Sequence, residues 1–306
     1  MMEIPERPAD GHKGTFGTVG IVGGQDTMGL TMVGAPALAA RAALRIGCGR
    51  VMIASPRSVM PAVLGACLSA TGVSLPQDES GELAKAAVEH VATLDGLVQA
   101  IAVGPGLGRG AASARLVSHL FTTSGPPLVL DADALHCLAT LNLSSPPNRS
   151  VIVTPHLGEF AVLARALGLP VPNAELASRQ GAACMLAERL GVVVVLKGHG
   201  TVVADGSGEW TCDEGGVELA VPGSGDVLTG VLAGLLAQSA ASGGRVDVTA
   251  ASQLAVTLHA RAGARWRDEH GTRGLLAEEL ANLVGFSVCR RRLNQDKRSP
   301  PSHFCW

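Results

Sequence analysis

Gly223-Ser224-Gly225-Asp226-Val227-Leu228-Thr229-Gly230 places small residues directly ahead of an apolar helical run that continues to Gln238. Small residues entering a helix leave several backbone N–H groups unpaired and aimed the same way. They lie beside the positive end of the helix dipole, and together these features make a phosphate-sized anion site. Asp226 reads either as a plain N-cap or as a carboxylate placed to take a proton from a hydroxyl attacking a bound phosphate.

Upstream of this turn, apolar and β-branched runs occur at 18–22, 50–54, 100–103, 127–130, 150–153, 192–196 and 201–204. Uninterrupted runs of this kind suit strands buried on both faces of a sheet. Between them lie stretches with helical spacing at 35–46, 82–93, 111–121, 159–167 and 173–190, an alternation that predicts a mostly parallel sheet flanked by helices on both faces. The runs 226–238 and 248–264 are helical with almost no strand signal, so the C-terminal third should pack helices on the sheet. Residues 1–11 read as a short lead, 12–293 as one domain and 294–306 as a frayed tail.

Composition narrows the classes. The 306 residues are 47% hydrophobic and 16% charged, enough for a large core, and the formal charge is -2. With no long basic stripe, nucleic acid is not an expected partner. The apolar runs are short and broken, and the first residues carry Glu3, Glu6 and Asp10, so neither a membrane span nor a signal peptide is expected. The seven cysteines are odd in number, scattered and without a C-x-x-C pair, which suits buried apolar roles in a reducing cytoplasm. Glycine supplies 39 residues, nearly twice the usual share of about 7%, and many follow β-branched runs, as in strand-to-loop turns near a ligand.

Three further segments carry chemistry. Lys197-Gly198-His199-Gly200-Thr201 reads as a tight strand-to-strand turn whose Lys197 and Thr201 would meet a nucleotide's phosphates, or as an ordinary glycine hairpin. Thr154-Pro155-His156-Leu157-Gly158-Glu159 and Leu130-Asp131-Ala132-Asp133-Ala134 each follow a strand, where open α/β sheets bind ligands. The bland alternatives are a solvated histidine and helix-capping carboxylates. Gly106-Leu107-Gly108-Arg109-Gly110-Ala111 matches a dinucleotide-fold fingerprint, but Pro105 sits in its turn and the later glycine motifs have no role under that reading.

Taken together, these segments resemble one family. His12-Lys13-Gly14, Val22-Gly23-Gly24, Gly34-Ala35, the run Ala42 to Gly49, Gly104 to Gly108, Leu130 to Leu135, Thr154 to Glu159, Lys197 to Thr201 and Gly223 to Gly230 stand in the order found in NAD(P)H-hydrate dehydratases. That resemblance implies a ribokinase-like fold and removal of water from the 6-hydroxy forms of NADH and NADPH, with a nucleotide phosphorylating the hydroxyl so that phosphate leaves. It implies Asp226 as base and substrate contact, with Ala35, Gly106, His156 and Asp133 around the hydrated substrate. Gly223, Ser224, Gly225 and the turn Lys197, Gly198, His199, Gly200, Thr201 would hold the nucleotide, and Glu159 would act indirectly on Mg2+. The form of that turn resembles bacterial members that use ADP. The resemblance further implies a symmetric homo-oligomer such as a tetramer, and an NAD(P)H-hydrate epimerase acting as a separate chain. The segment Gly215 to Pro222 departs from the family pattern, and Met28 to Val33 lacks its usual aromatic residue. Alternatives of other kinds are a vitamin-precursor kinase of the same superfamily, which usually carries Thr-Pro-Asn at 154–156, a nucleotide sensor without turnover, and a dehydrogenase.

Overall fold

A computed structural model describes residue 4 and residues 6–287, apart from positions 28, 144 and 245. The chain enters through β1 (Thr18–Val22) and a short hairpin of β2 (Gln25–Thr27) and β3 (Leu30–Met32). It then alternates through α1 (Gly34–Ile46), β4 (Arg50–Pro56), α2 (Met60–Ala66), β5 (Thr71–Leu75), α3 (Ala87–Ala92), β6 (Ala100–Val103), α4 (Ala111–Thr122), β7 (Leu128–Leu130), α5 (Asp133–Ala139) and β8 (Val151–Val153). After α6 (Leu157–Leu167) and α7 (Leu176–Leu190) come β9 (Val193–Leu196), β10 (Thr201–Asp205) and β11 (Gly208–Cys212). The described chain closes with α8 (Ser224–Ala241), α9 (Val248–His270) and α10 (Ala277–Ser287).

Nine strands form one sheet in the order β11-β10-β9-β8-β7-β6-β1-β4-β5. It is parallel from β5 to β9 and antiparallel across β10 and β11. Successive side chains on a strand face opposite ways, and the two cores show it directly. Val193 and Val195 pack into the layer that holds α1, α8 and α9, whereas Val194 and Leu196 pack into the layer that holds α4, α6 and α7. Helix α8 is buried nearly all round, between the sheet and helices α1 and α9. Gly230 permits this: a Cβ there would lie 2.0 Å from the Ala39 carbonyl oxygen of α1.

The expected strands and the fold class are observed, while several boundaries differ. The helix expected over 82–93 is only α3 followed by a 3-10 turn, Thr93–Gly96. Its first residues are captured instead by a turn in which Asp78 Oδ1 accepts from the Ser80 and Glu82 amides. Helix α7 starts at Leu176, not 173, because Asn173 Oδ1 accepts from the Glu175 amide and holds a turn there. Strands β2, β3, β5 and β11 were not anticipated, being short or polar pieces at edges, nor were α2, α5 and α10. Cys48, Cys67, Cys137 and Cys212 are buried free thiols, as expected, and Cys184 is half-buried. Burial pushes Cys48 up to about 12 and Cys137 up to about 11, so neither serves as a nucleophile. Among the described residues no helix is long and apolar enough to cross a membrane. Cys289, Arg290 and Arg292, and the tail expected at 294–306 with Cys305, lie outside the described residues.

Candidate active site

The C-terminal ends of β7, β8 and β9 lie side by side, and each delivers one polar side chain to a buried knot. Asp131 follows β7, Thr154 follows β8 and Lys197 follows β9. Lys197 Nζ donates to Asp131 Oδ1 at 2.7 Å, and the Thr154 hydroxyl donates to the same oxygen at 2.7 Å. From the first turns of α8, the Thr229 hydroxyl donates to Asp131 Oδ2 at 2.8 Å. Burial alone would raise the Asp131 carboxyl, but Lys197 and the two hydroxyls outweigh it and hold the group below the usual carboxylate range. Burial likewise works against the Lys197 ammonium, yet Asp131, Glu159 and Asp226 keep it charged and above its ordinary value.

Helix α8 opens on Gly223, which sits at φ 87, a left-handed conformation that suits glycine. A Cβ at Gly225 would lie 3.3 Å from Lys197 Nζ, so the start of the helix is packed directly on the ammonium. The amides of Gly225 and Asp226 have no protein acceptor among the described residues, as expected of a helix N-terminus free to take an anion. Asp226 is the third residue of α8 and the N-cap is Gly223, so the capping alternative for Asp226 is set aside. Burial first, then the negative charge of Asp131, push the Asp226 carboxyl up to about 7 against the opposing pull of Lys197. That places it where a general base works best near neutral pH.

His156 and Glu159 form a reciprocal cap on α6. His156 Nδ1 accepts from the Gly158 and Glu159 amides at 2.9 and 3.3 Å, and Glu159 Oε2 accepts from the His156 amide at 2.8 Å. An accepting Nδ1 puts the ring proton on Nε2, which faces Glu159 Oε1 at 3.4 Å. Hence His156 is not the merely solvated histidine of the bland reading. Glu159 Oε2 also lies 3.7 Å from Lys197 Nζ, which joins this cap to the buried knot.

Gly106 and Ala35 meet: Gly106 has φ 63, and a Cβ on it would lie 3.6 Å from that of Ala35 and 2.9 Å from that of Met32. Gly104 presses on the Asp131 carbonyl, and Gly223 lies against Leu38, one turn beyond Ala35. Asp133 is the first residue of α5 but caps nothing. It accepts from the Gly108 amide at 3.0 Å and pairs with Arg109 at 2.7 Å. The capping alternative therefore fails for both Asp131 and Asp133. Gly108, Arg109 and Asp133 line a cavity of about 320 Å3 together with Gln25, Thr27 and Leu30 of the β2–β3 hairpin. The parallel strands run in the 3-2-1-4-5-6 order of a dinucleotide-binding domain, but the glycine run at 106–111 follows β6, the fourth of them and not the first, and forms a cavity wall.

Lys197 to Thr201 turns from β9 into antiparallel β10, with the Thr201 hydroxyl donating to the Gly198 carbonyl at 3.0 Å and His199 exposed. Sequence reasoning gave no role to Thr154, Thr229 or His259, and it left Asp131 open between a ligand site at a strand end and a helix cap. His259 of α9 is buried, pushed down to about 4 by that burial, and its Nε2 lies 3.0 Å from the Ser224 carbonyl oxygen. As a neutral ring it donates there and tethers the first turn of α8. Among the described residues no three His, Cys, Asp or Glu side chains converge as a metal cage.

The family model for NAD(P)H-hydrate dehydratase matches residues 19–284. The ADP-dependent (S)-NAD(P)H-hydrate dehydratase of Bacillus subtilis is 36% identical over 282 residues, which cover 92% of this chain and 92% of that one. The crystal structure of the ADP/ATP-dependent NAD(P)H-hydrate dehydratase from Bacillus subtilis, co-crystallized with ATP/Mg2+, superposes with a TM-score of 0.75 at 33% identity, covering 94% of each chain. A ribokinase-like superfamily protein from Enterococcus faecalis shares the fold, with a TM-score of 0.72 at 24% identity over 94% of this chain and 92% of its own. The chain also spans about half the length of bifunctional NAD(P)H-hydrate repair enzymes, such as that of Moorella thermoacetica. By sequence and by fold, this chain belongs to the NAD(P)H-hydrate dehydratase family, built on the ribokinase-like architecture.

Proposed function

We propose that the chain dehydrates the S form of hydrated NADH and NADPH at the expense of ADP, giving NAD(P)H, AMP and phosphate. The observation that carries this reading is the Asp226 carboxylate. It is poised near neutrality beside the open amides of α8 and one packed ammonium, Lys197. A phosphoryl group held in the turn Gly223-Ser224-Gly225, on the open amides of Gly225 and Asp226, would face a substrate hydroxyl whose proton Asp226 accepts. The hydroxyl oxygen bonds to the β-phosphorus of ADP as the bridging P–O bond breaks and AMP departs. The C6–O bond then breaks with its electron pair leaving on phosphate, the neighbouring carbon gives up a proton, and the ring double bond of NAD(P)H returns. Hydroxide is a poor leaving group and phosphate a good one, which is why a nucleotide is consumed.

Under this reading the turn Lys197 to Thr201 lines the nucleotide side, and Ala35, Gly106, His156 and Asp133 line the hydrate side. Magnesium would arrive with the nucleotide, neutralise phosphate charge and keep waters and phosphate oxygens as ligands. Glu159, engaged by His156 and Lys197, would act on that ion only through water. An NAD(P)H-hydrate epimerase would supply the S form, and a homo-oligomer is the expected assembly. The test mixes the protein and magnesium with hydrated NADH and follows near-ultraviolet absorbance with ADP, with ATP and with neither. Recovery of NADH only with ADP is expected. No recovery under any condition would move the assignment to a vitamin-precursor kinase or a sensor.

A further inference from the structure

Beneath the turn Lys197 to Thr201 lies a cation that no role above uses. Arg179, on α7, is 5% exposed. Its Nη2 donates to the His199 carbonyl, while its Nε is buried without an acceptor among the described residues. Burial pulls its guanidinium below the ordinary arginine value, with no neighbouring carboxylate acting on it among the described residues. A buried charge without a counter-charge is costly, so this one calls for a reason. Both glycines of the turn close on the group. A Cβ at Gly198 would lie 2.8 Å from Nη1, and one at Gly200 would lie 3.5 Å from Nη2. The turn is therefore shaped around the guanidinium.

The bond to His199 also sets which way a peptide faces. No described peptide bond is cis, and in a trans peptide the carbonyl and the following amide point in opposite directions. Drawing the His199 carbonyl inward onto Arg179 turns the Gly200 N–H away from α7, toward the outer side of the turn. We infer that Arg179 is a positioning residue for the nucleotide: it fixes the turn with the Gly200 amide presented outward, and the nucleotide's phosphates supply the counter-charge that no described residue provides. This rests on the assignment of the turn to the nucleotide.

The experiment measures ADP binding by calorimetry and steady-state kinetics for the wild-type chain, Arg179→Met and Arg179→Lys. Arg179→Met should weaken ADP about tenfold or more, the worth of a hydrogen bond from a charged group. Its kcat at saturating ADP and its KM for the hydrate should stay within about twofold of wild type, because only nucleotide binding is touched. Arg179→Lys, which keeps the charge, should recover part of the affinity. Unchanged ADP affinity in Arg179→Met overturns the inference while leaving the dehydratase reading intact. So does a loss spread equally over kcat and both KM values, with no rescue by lysine, since that marks a purely structural role. A wild-type chain that binds no ADP overturns the nucleotide assignment, and this inference with it.

Discussion

The two ends of the sheet each bury an ion pair, and they treat it in opposite ways. At the N-terminal ends of β6, β7 and β8, Arg149 grips Asp95 through two bonds of 3.1 and 3.0 Å and donates further to the Thr123 and Ser124 carbonyls and the Thr123 hydroxyl. One acid meets one base there, and the guanidinium is saturated. At the C-terminal ends, Lys197 alone faces Asp131, Glu159 and Asp226. Asp131 takes the direct bond, Glu159 is spent on the α6 cap, and Asp226 is left at about 7. A balanced pair stabilises a fold, whereas an unbalanced cluster leaves one group free to change its proton.

The sharpest way to break this comparison is Asp226→Asn. Turnover should fall by about 100-fold to 10,000-fold, the usual worth of a positioned base, while ADP still binds; full activity would remove Asp226 from the chemistry. In the wild-type chain the base must be ionised, so kcat/KM should decline as pH drops below about 7. Stability should run the other way. The folded chain holds the Asp226 proton more tightly than the unfolded one, so the stabilisation is full below the ordinary carboxylate range and is lost as pH rises through about 7. Asp226→Asn should therefore melt above wild type in mild alkali, and this advantage should vanish in acid.

Arg149→Met attacks the other end. It strands Asp95 and should cost about 3–5 kcal/mol of stability, read as a lower denaturation midpoint, with the KM values of the folded fraction unchanged. A shift in nucleotide KM would show that the two ends are coupled. The smallest effect sharpens the role of His156. His156→Ala should lose about 1 kcal/mol with the cap, while His156→Asn, which can still cap, should restore stability. If His156→Asn also restores the KM for the hydrate, the ring is a cap only and touches no substrate.

Much of this site could be read along the chain because its parts are local. The glycine turn opening α8, the hairpin at Lys197 to Thr201 and the strand ends at 130 and 153 each declare themselves within a few residues. Boundaries failed where side chains near a turn competed for the backbone, as Asp78 and Asn173 do. Edge strands such as β5 and β11, half-wet and short, carry no uninterrupted apolar run to betray them.

The sequence by itself determined the parallel sheet, the helix-start anion turn and the family, since hydrophobic period and glycine placement are properties of neighbouring residues. Only the tertiary structure decided which of Asp131 and Asp133 enters the buried knot. It also decided that Lys197 and Thr229, 66 and 98 residues away from Asp131, would meet that carboxylate. Such pairings depend on strand order and on how closely α8 seats against the sheet. The same holds for the ionisation of Asp226, whose value near neutrality comes from burial and from charges that arrive on other strands.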